Sequence, residues 1–199
     1  MYGVIRRYKI DPANFDEVVR RGEQGLVPQL SGAPGFVSYR VLQADNGDLL
    51  SVSLFEDRDQ AEESARIAAG WVKENTSDLA PNAPEVTAGE VRVREVNQQE
   101  ELHYGVMRRY RIDATNVDEI VQRAQSGFVP IVSKLPGFAT YALLDAGSGT
   151  LVTLSGFRDE SSADRSTQEA AGWVKENLAH LVTNAPEVTR AKIKLSKVR

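Results

Sequence analysis

A chain of 199 residues with 24 Lys+Arg and 28 Asp+Glu has a net charge of −4; it is long enough for one or two small domains with a real core, and it lacks the basic balance usual in nucleic-acid binders. Hydrophobic residues make up 41% and charged residues 26%, as in ordinary folded proteins. Zero cysteines exclude disulfides, thiolate catalysis and cysteine-held metals, two histidines (His103 and His180) leave little for a histidine metal site, and no apolar run approaches the roughly 20 residues of a membrane helix.

The residues Met1 to Arg7 enter a strand pattern directly, without a signal-peptide layout. The expectation is therefore a cytoplasmic protein with neither nucleic-acid nor membrane partners. The opening strand, Tyr2 to Ile10, is rich in β-branched and aromatic residues. After the break Asp11-Pro12-Ala13-Asn14, Asn14 and Glu17 have capping-box spacing, as do Asn116 and Glu119. A helix follows with an apolar stripe of Phe15, Val18, Gly22, Leu26 and Leu30. Gly25 and Pro28 predict a kink in it, or two short pieces.

Phe36 to Ala44 and Leu49 to Phe55 read as strands of a hairpin around Asp45-Asn46-Gly47-Asp48. Asp57 opens a second helix, with Gln60 at the capping position and a stripe of Ala61, Ala65, Ala68, Val72 and Leu79. Pro81 to Pro84 breaks that helix, and Glu85 to Val93 forms the last strand.

The whole pattern then recurs at an offset of 102. Tyr2-Gly3-Val4-Ile5-Arg6-Arg7-Tyr8 returns as Tyr104-Gly105-Val106-Met107-Arg108-Arg109-Tyr110, and Gly70 to Asn75 returns as Gly172 to Asn177. About 45 of about 92 aligned positions are identical, which marks a tandem duplication. The predicted division is a first unit over 1–94, a linker over 95–103 and a second unit over 104–199.

Each unit reads β-α-β-β-α-β, the order of a ferredoxin-like unit, so the fold class is α+β. Apolar residues stand at both parities of the strands, so both faces of each sheet need cover. Helices cover one face. The second unit is the natural cover for the other, which predicts two ferredoxin-like units packed sheet to sheet as an intramolecular pseudo-dimer. With that pairing internal, the chain could be a monomer or build a higher homo-oligomer.

On the Pro34-Gly35-Phe36-Val37-Ser38-Tyr39 turn and strand, the hairpin ending Phe55-Glu56-Asp57, and the helix bearing Trp71, the chain resembles the dimeric α/β-barrel superfamily. Within it, the chain is similar to the antibiotic biosynthesis monooxygenases. The resemblance runs through nearly the whole chain, twice. It implies a cofactor-independent monooxygenase acting on an aromatic or polyketide-like small molecule, deprotonated to a carbanion that reacts with O₂ itself. No cofactor or metal is expected. The protein would supply a dry pocket, a proton acceptor and an oxyanion partner.

The candidate catalytic residues are Arg6 and Arg108 for the anion, Asn75 and Asn177 as hydrogen-bonders, and Tyr8 and Tyr110 as a proton relay. The candidate ligand-binding residues are Trp71 and Trp173 as a stacking wall, with Tyr39 and Tyr141. Each has a competing structural reading. Trp71 can be core, Asn75 can tie down the loop at Asn82, and Arg6 can pair with Glu85 or another strand-edge acid.

Related haem-degrading enzymes use a helix histidine as iron ligand. Here His180 stands in one unit only and lacks the strand asparagine that accompanies it there, which argues against haem. The alternatives to a monooxygenase are a non-catalytic binding or structural barrel protein, and an isomerase or lyase of the same superfamily. Arg40 against Ala142 and Leu54 against Gly156 suggest a roomier site in the second unit.

Overall fold

The computed structural model describes residues 1–182 and 184–199. The first copy of the pattern contains β1 (Tyr2–Tyr8), α1 (Phe15–Ser31), β2 (Phe36–Ala44), β3 (Leu49–Phe55), α2 (Arg58–Asn75) and β4 (Glu85–Val96). The second contains β5 (Tyr104–Arg111), α3 (Val117–Arg123), α4 (Val129–Val132), β6 (Phe138–Asp145), β7 (Thr150–Phe157), α5 (Glu160–Asn177) and β8 (Glu187–Val198). The α+β class and the ferredoxin-like order are therefore those expected. The order of hydrogen-bonded strands, β1-β3-β2-β8-β5-β7-β6-β4, is that of a closed barrel.

The compact units do not follow the copies to their ends. One unit is residues 1–90 with 192–199, and the other is 91–191. β4 and β8 each begin in one unit and finish in the other. In the first unit, Leu195 of β8 joins the core containing Phe15, Leu30, Phe36 and Phe55. Arg199 donates its backbone N–H to Val37 O at 3.2 Å and pairs with Glu56. In the second unit, Val93 of β4 joins the core of Phe128, Tyr141 and Phe157. Glu95 and Val96, expected in the linker, are strand.

The sheets are buried on both faces, as the apolar parity requires. Tyr39, Val41, Leu49, Ser51 and Ser53 occupy one parity, while Leu50, Val52, Leu54 and Leu42 occupy the other. The hairpin forms as predicted, with Gly47 at φ 88°. That conformation costs glycine nothing and other residues strain.

Helix starts and interiors depart from expectation in detail. Neither Asn14 nor Asn116 makes a side-chain cap. Instead Asp11 and Asp113 cap a preceding single turn, accepting from Ala13 N and Thr115 N at 2.9 Å. The extended conformation suited to capping falls on these aspartates, while Asn14 and Asn116 are already helical. Asp57 does cap α2, accepting from Gln60 N. The break expected at Gly25 and Pro28 is absent from the first copy, where α1 runs through Pro28. The second copy has it. A π-helical turn, Ala124–Phe128, separates α3 from α4, with Val129 N–H reaching back to Ala124 O. This wide turn comes just before Pro130, which has no N–H to give. Leu79, expected on the α2 stripe, lies beyond the end of that helix.

Candidate functional site

Strand register builds the floor of the candidate site. In the first unit Arg6 lies opposite Ser51, which lies opposite Val41. One step along, Val4 lies opposite Ser53, which lies opposite Tyr39. The same rows recur as Arg108–Thr153–Leu143 and Val106–Ser155–Tyr141. Side chains of one parity share a face, and this face looks toward the helices.

Between sheet and helices each unit encloses a cavity of about 40 Å³. The first is lined by Arg6, Tyr8, Tyr39, Ser51 and Trp71, with an apolar wall from α1. The second is lined by Arg108, Tyr110, Tyr141, Thr153 and Trp173, with Phe128 added. The structure thus brings together eight of the sequence-derived candidates, four per unit. Phe128, which that reasoning missed, stands 5.5 Å from the Trp173 ring and 5.6 Å from the Tyr141 ring. Its signal was a place on the helical stripe, at the position of Leu26, where it reads as core.

Asn75 and Asn177 are elsewhere. Their side-chain amides donate to the carbonyls of Trp71 at 2.8 Å and Trp173 at 2.9 Å, one helical turn back. They line neither cavity. Each closes the C-terminus of its helix, where carbonyls lack partners. Arg21 and Arg123 complete that closure, donating to Asn75 O at 2.7 Å and Asn177 O at 2.8 Å.

Both cavity arginines are buried, Arg6 at 4% exposure and Arg108 at 3%. Arg6 does not pair with Glu85, which lies opposite Arg7 in the β1–β4 register. Its Nη1 donates to Ser53 Oγ at 3.4 Å. Arg108 donates to Ser155 Oγ at 3.3 Å and to Thr167 Oγ1 at 2.9 Å. Burial pulls both guanidinium pKa values down, and the neighbouring charges come from tyrosines and, for Arg108, from Arg190, with no carboxylate contributing. Burial likewise raises Tyr8, Tyr110 and Tyr141, and Tyr39 to about 12. At neutral pH these four are phenols that can donate to an oxyanion.

The second cavity adjoins a wider cleft of about 450 Å³, which shares Arg108, Tyr110, Ala170, Val174 and Val182 with it. Lys175 stands at that cleft. The substitutions expected to enlarge the second site do not act there. Arg40 and Ala142 follow Tyr39 and Tyr141 in their strands and point to the opposite face, as do Leu54 and Gly156. The space beside Gly156 is taken by Leu102, whose Cδ1 is 2.4 Å from where a Cβ would sit. His180 lies past the end of α5, exposed, and lines neither cavity.

Among the described residues, no group of three His, Asp or Glu is placed to hold a metal ion, and no helix is long and apolar enough to cross a membrane.

Two bacterial proteins described as "putative monooxygenase" share the fold along the whole chain. The one from Fusobacterium nucleatum has a TM-score of 0.79 at 9% identity, covering 100% of this chain and 94% of that one. The one from Lactobacillus acidophilus has a TM-score of 0.79 at 11% identity, covering 99% and 95%. An anthrone oxidase-like protein matches with a TM-score of 0.66 at 14% identity, covering 99% and 92%. No protein of curated function matches the sequence. Residues 1–66, from β1 into α2, match the antibiotic biosynthesis monooxygenase family model. The first copy of the pattern is thus similar to the antibiotic biosynthesis monooxygenase family over residues 1–66, within a chain whose fold is shared with two solved proteins described as putative monooxygenases.

Proposed function

We propose that the chain is a cofactor-independent monooxygenase whose substrate is an aromatic, polyketide-like molecule with an acidic methylene or phenol. The observation that carries this reading is a buried arginine facing no carboxylate, set among tyrosine and tryptophan side chains. Arg108 is reachable from a cleft of about 450 Å³, within the size range of small-molecule sites.

In this reading Arg108 stabilises the enolate oxygen of the bound substrate, which lowers the acidity threshold of the adjacent methylene. The proton passes to water in the cleft and is returned to the peroxide oxygen that forms later, with the phenols of Tyr110 and Tyr141 as hydrogen-bond donors to the developing oxyanion. The carbanion gives an electron to O₂ and recombines with it to a hydroperoxide. Loss of water leaves a carbonyl where the methylene was, so one oxygen atom enters the product and the other leaves as water. Trp173 and Phe128 form the aromatic wall. Arg6, Tyr8, Tyr39 and Trp71 are the counterparts in the first unit.

Oxygen uptake with anthrone and no added cofactor tests the reading. Arg108→Gln is expected to lower kcat/KM at least about 100-fold, the scale of removing one oxyanion partner. Absence of uptake by the wild-type protein, or uptake unchanged in Arg108→Gln, overturns it. A second reading, a non-catalytic binding module, is favoured by the smallness of the enclosed cavities, each with room for about three waters. Anthrone binding without oxygen uptake would establish that instead.

A further inference from the structure

Fifteen lining positions of the two cavities coincide at the 102-residue offset, yet the two arginines are differently served. Arg108 Nη2 donates to Thr167 Oγ1 at 2.9 Å, and that hydroxyl donates onward to Ala163 O at 3.0 Å. The residue matching Thr167 in the first copy is Ala65. It has no hydroxyl, and Nη2 of Arg6 is buried without a hydrogen-bond partner. An unsatisfied donor on a buried cation is costly, and an anion in the cavity would satisfy it.

We propose that the cavity at Arg6 is a binding site for the carboxylate of a small monocarboxylic acid, and that Thr167 occupies the corresponding donor in the second unit, which leaves Arg108 N–H groups for a single oxyanion but not the open fork a carboxylate needs. The chemistry is specific. A guanidinium fork matches a planar carboxylate, which accepts two parallel N–H donors. The phenol of Tyr8 and the hydroxyl of Ser51 line the same cavity and add donors, while the Thr76 hydroxyl there donates to Val72 O at 2.9 Å. Thr76 is replaced by Leu178 in the second cavity, which therefore has one polar side chain fewer. No second cation lines the cavity, so a single negative charge is matched and a phosphate dianion is not. The volume of about 40 Å³ suits an acetate-sized head, with Val18, Leu26 and Trp71 beside it for a short alkyl tail.

The cavity is separate from the Arg108 site, and carboxylate binding there is read without oxygenation. Sodium acetate is titrated calorimetrically into the full-length protein, with sodium chloride at equal ionic strength as comparison, and thermal shift is read in parallel. The expected result is one acetate per chain and a rise in Tm of several degrees at saturating acetate, with no such effect of chloride. Ala65→Thr copies the second unit and is expected to weaken acetate binding at least tenfold. Thr167→Ala copies the first and is expected to raise the stoichiometry to two. Failure of the wild-type protein to bind acetate, equal binding of chloride, or unchanged affinity in Ala65→Thr overturns the proposal. Should Ala65→Thr fail to fold, the stoichiometry of Thr167→Ala decides.

Discussion

Arg6 and Asn75 were both polar residues on apolar stripes, and the structure treats them oppositely. Strand alternation is rigid, so Arg6 had to share a face with Val4 and Tyr8, and that face is the one the helices cover. Asn75 sits at a helix end, where the chain's own carbonyls compete for its amide, and Trp71 O takes it. A period of 3.6 residues cannot distinguish a pocket position from a cap position; the location of the helix end does. Asn177→Ala should therefore lower stability by about 1 kcal/mol, the worth of one hydrogen bond, and leave ligand affinity unchanged, as thermal melts and a binding titration can show. The tyrosines make a pH prediction. The folded pKa of Tyr39 is raised by burial to about 12 from the ordinary 10. The folded state thus holds that proton more tightly, so the contribution is complete below pH 10 and is lost as pH climbs toward 12. Stability is expected to fall across that window, and less steeply in Tyr39→Phe, as followed by melting temperature against pH with tyrosinate absorbance alongside.

At the scale of elements, the contact between α1 and α2 turns on one glycine. A Cβ on Gly25 would lie 2.7 Å from Trp71 Nε1, and one on Gly127 would lie 3.0 Å from Trp173 Cζ2. Gly25→Ala should cost about 1–3 kcal/mol through overpacking, despite alanine's better helix propensity. Gly70 has nothing within 4 Å of its missing Cβ, so Gly70→Ala should stabilise by about 0.5–1 kcal/mol. Opposite shifts in chemical denaturation midpoints at unchanged slope would show that the indole, and not the helix, selects glycine at position 25. The two copies also show how one residue pattern can yield a continuous helix or a π turn. Gly25-Leu26-Val27-Pro28 and Gly127-Phe128-Val129-Pro130 differ only by Leu26 against Phe128, and only the second copy widens. The ring of Phe128 packs on the rings of Trp173 and Tyr141, an aromatic pairing for which Leu26 has no ring.

At the scale of the molecule, each unit is completed by the end of a strand begun in the other. Leu195, near the C-terminus, is buried in the core of the first unit. Leu195→Ala should cost about 2–4 kcal/mol and speed amide exchange in β2 more than in β6, which hydrogen-exchange mass spectrometry resolves.

Much was readable beforehand because it depends on local rules or self-comparison. The repeated pattern appears on aligning the chain with itself. The element order follows from hydrophobic period and turn residues. The company of Arg6 with Tyr8 and of Arg108 with Tyr110 follows from strand alternation. What tertiary structure alone decided is where chains meet in space. The last strands cross from unit to unit because hydrogen-bond pairing, unlike periodicity, has no signature within a single segment. Ala65 and Thr167 read alike as small residues on a helix, and only the packing of helix on sheet makes one a missing partner and the other a present one for the buried arginine beneath it.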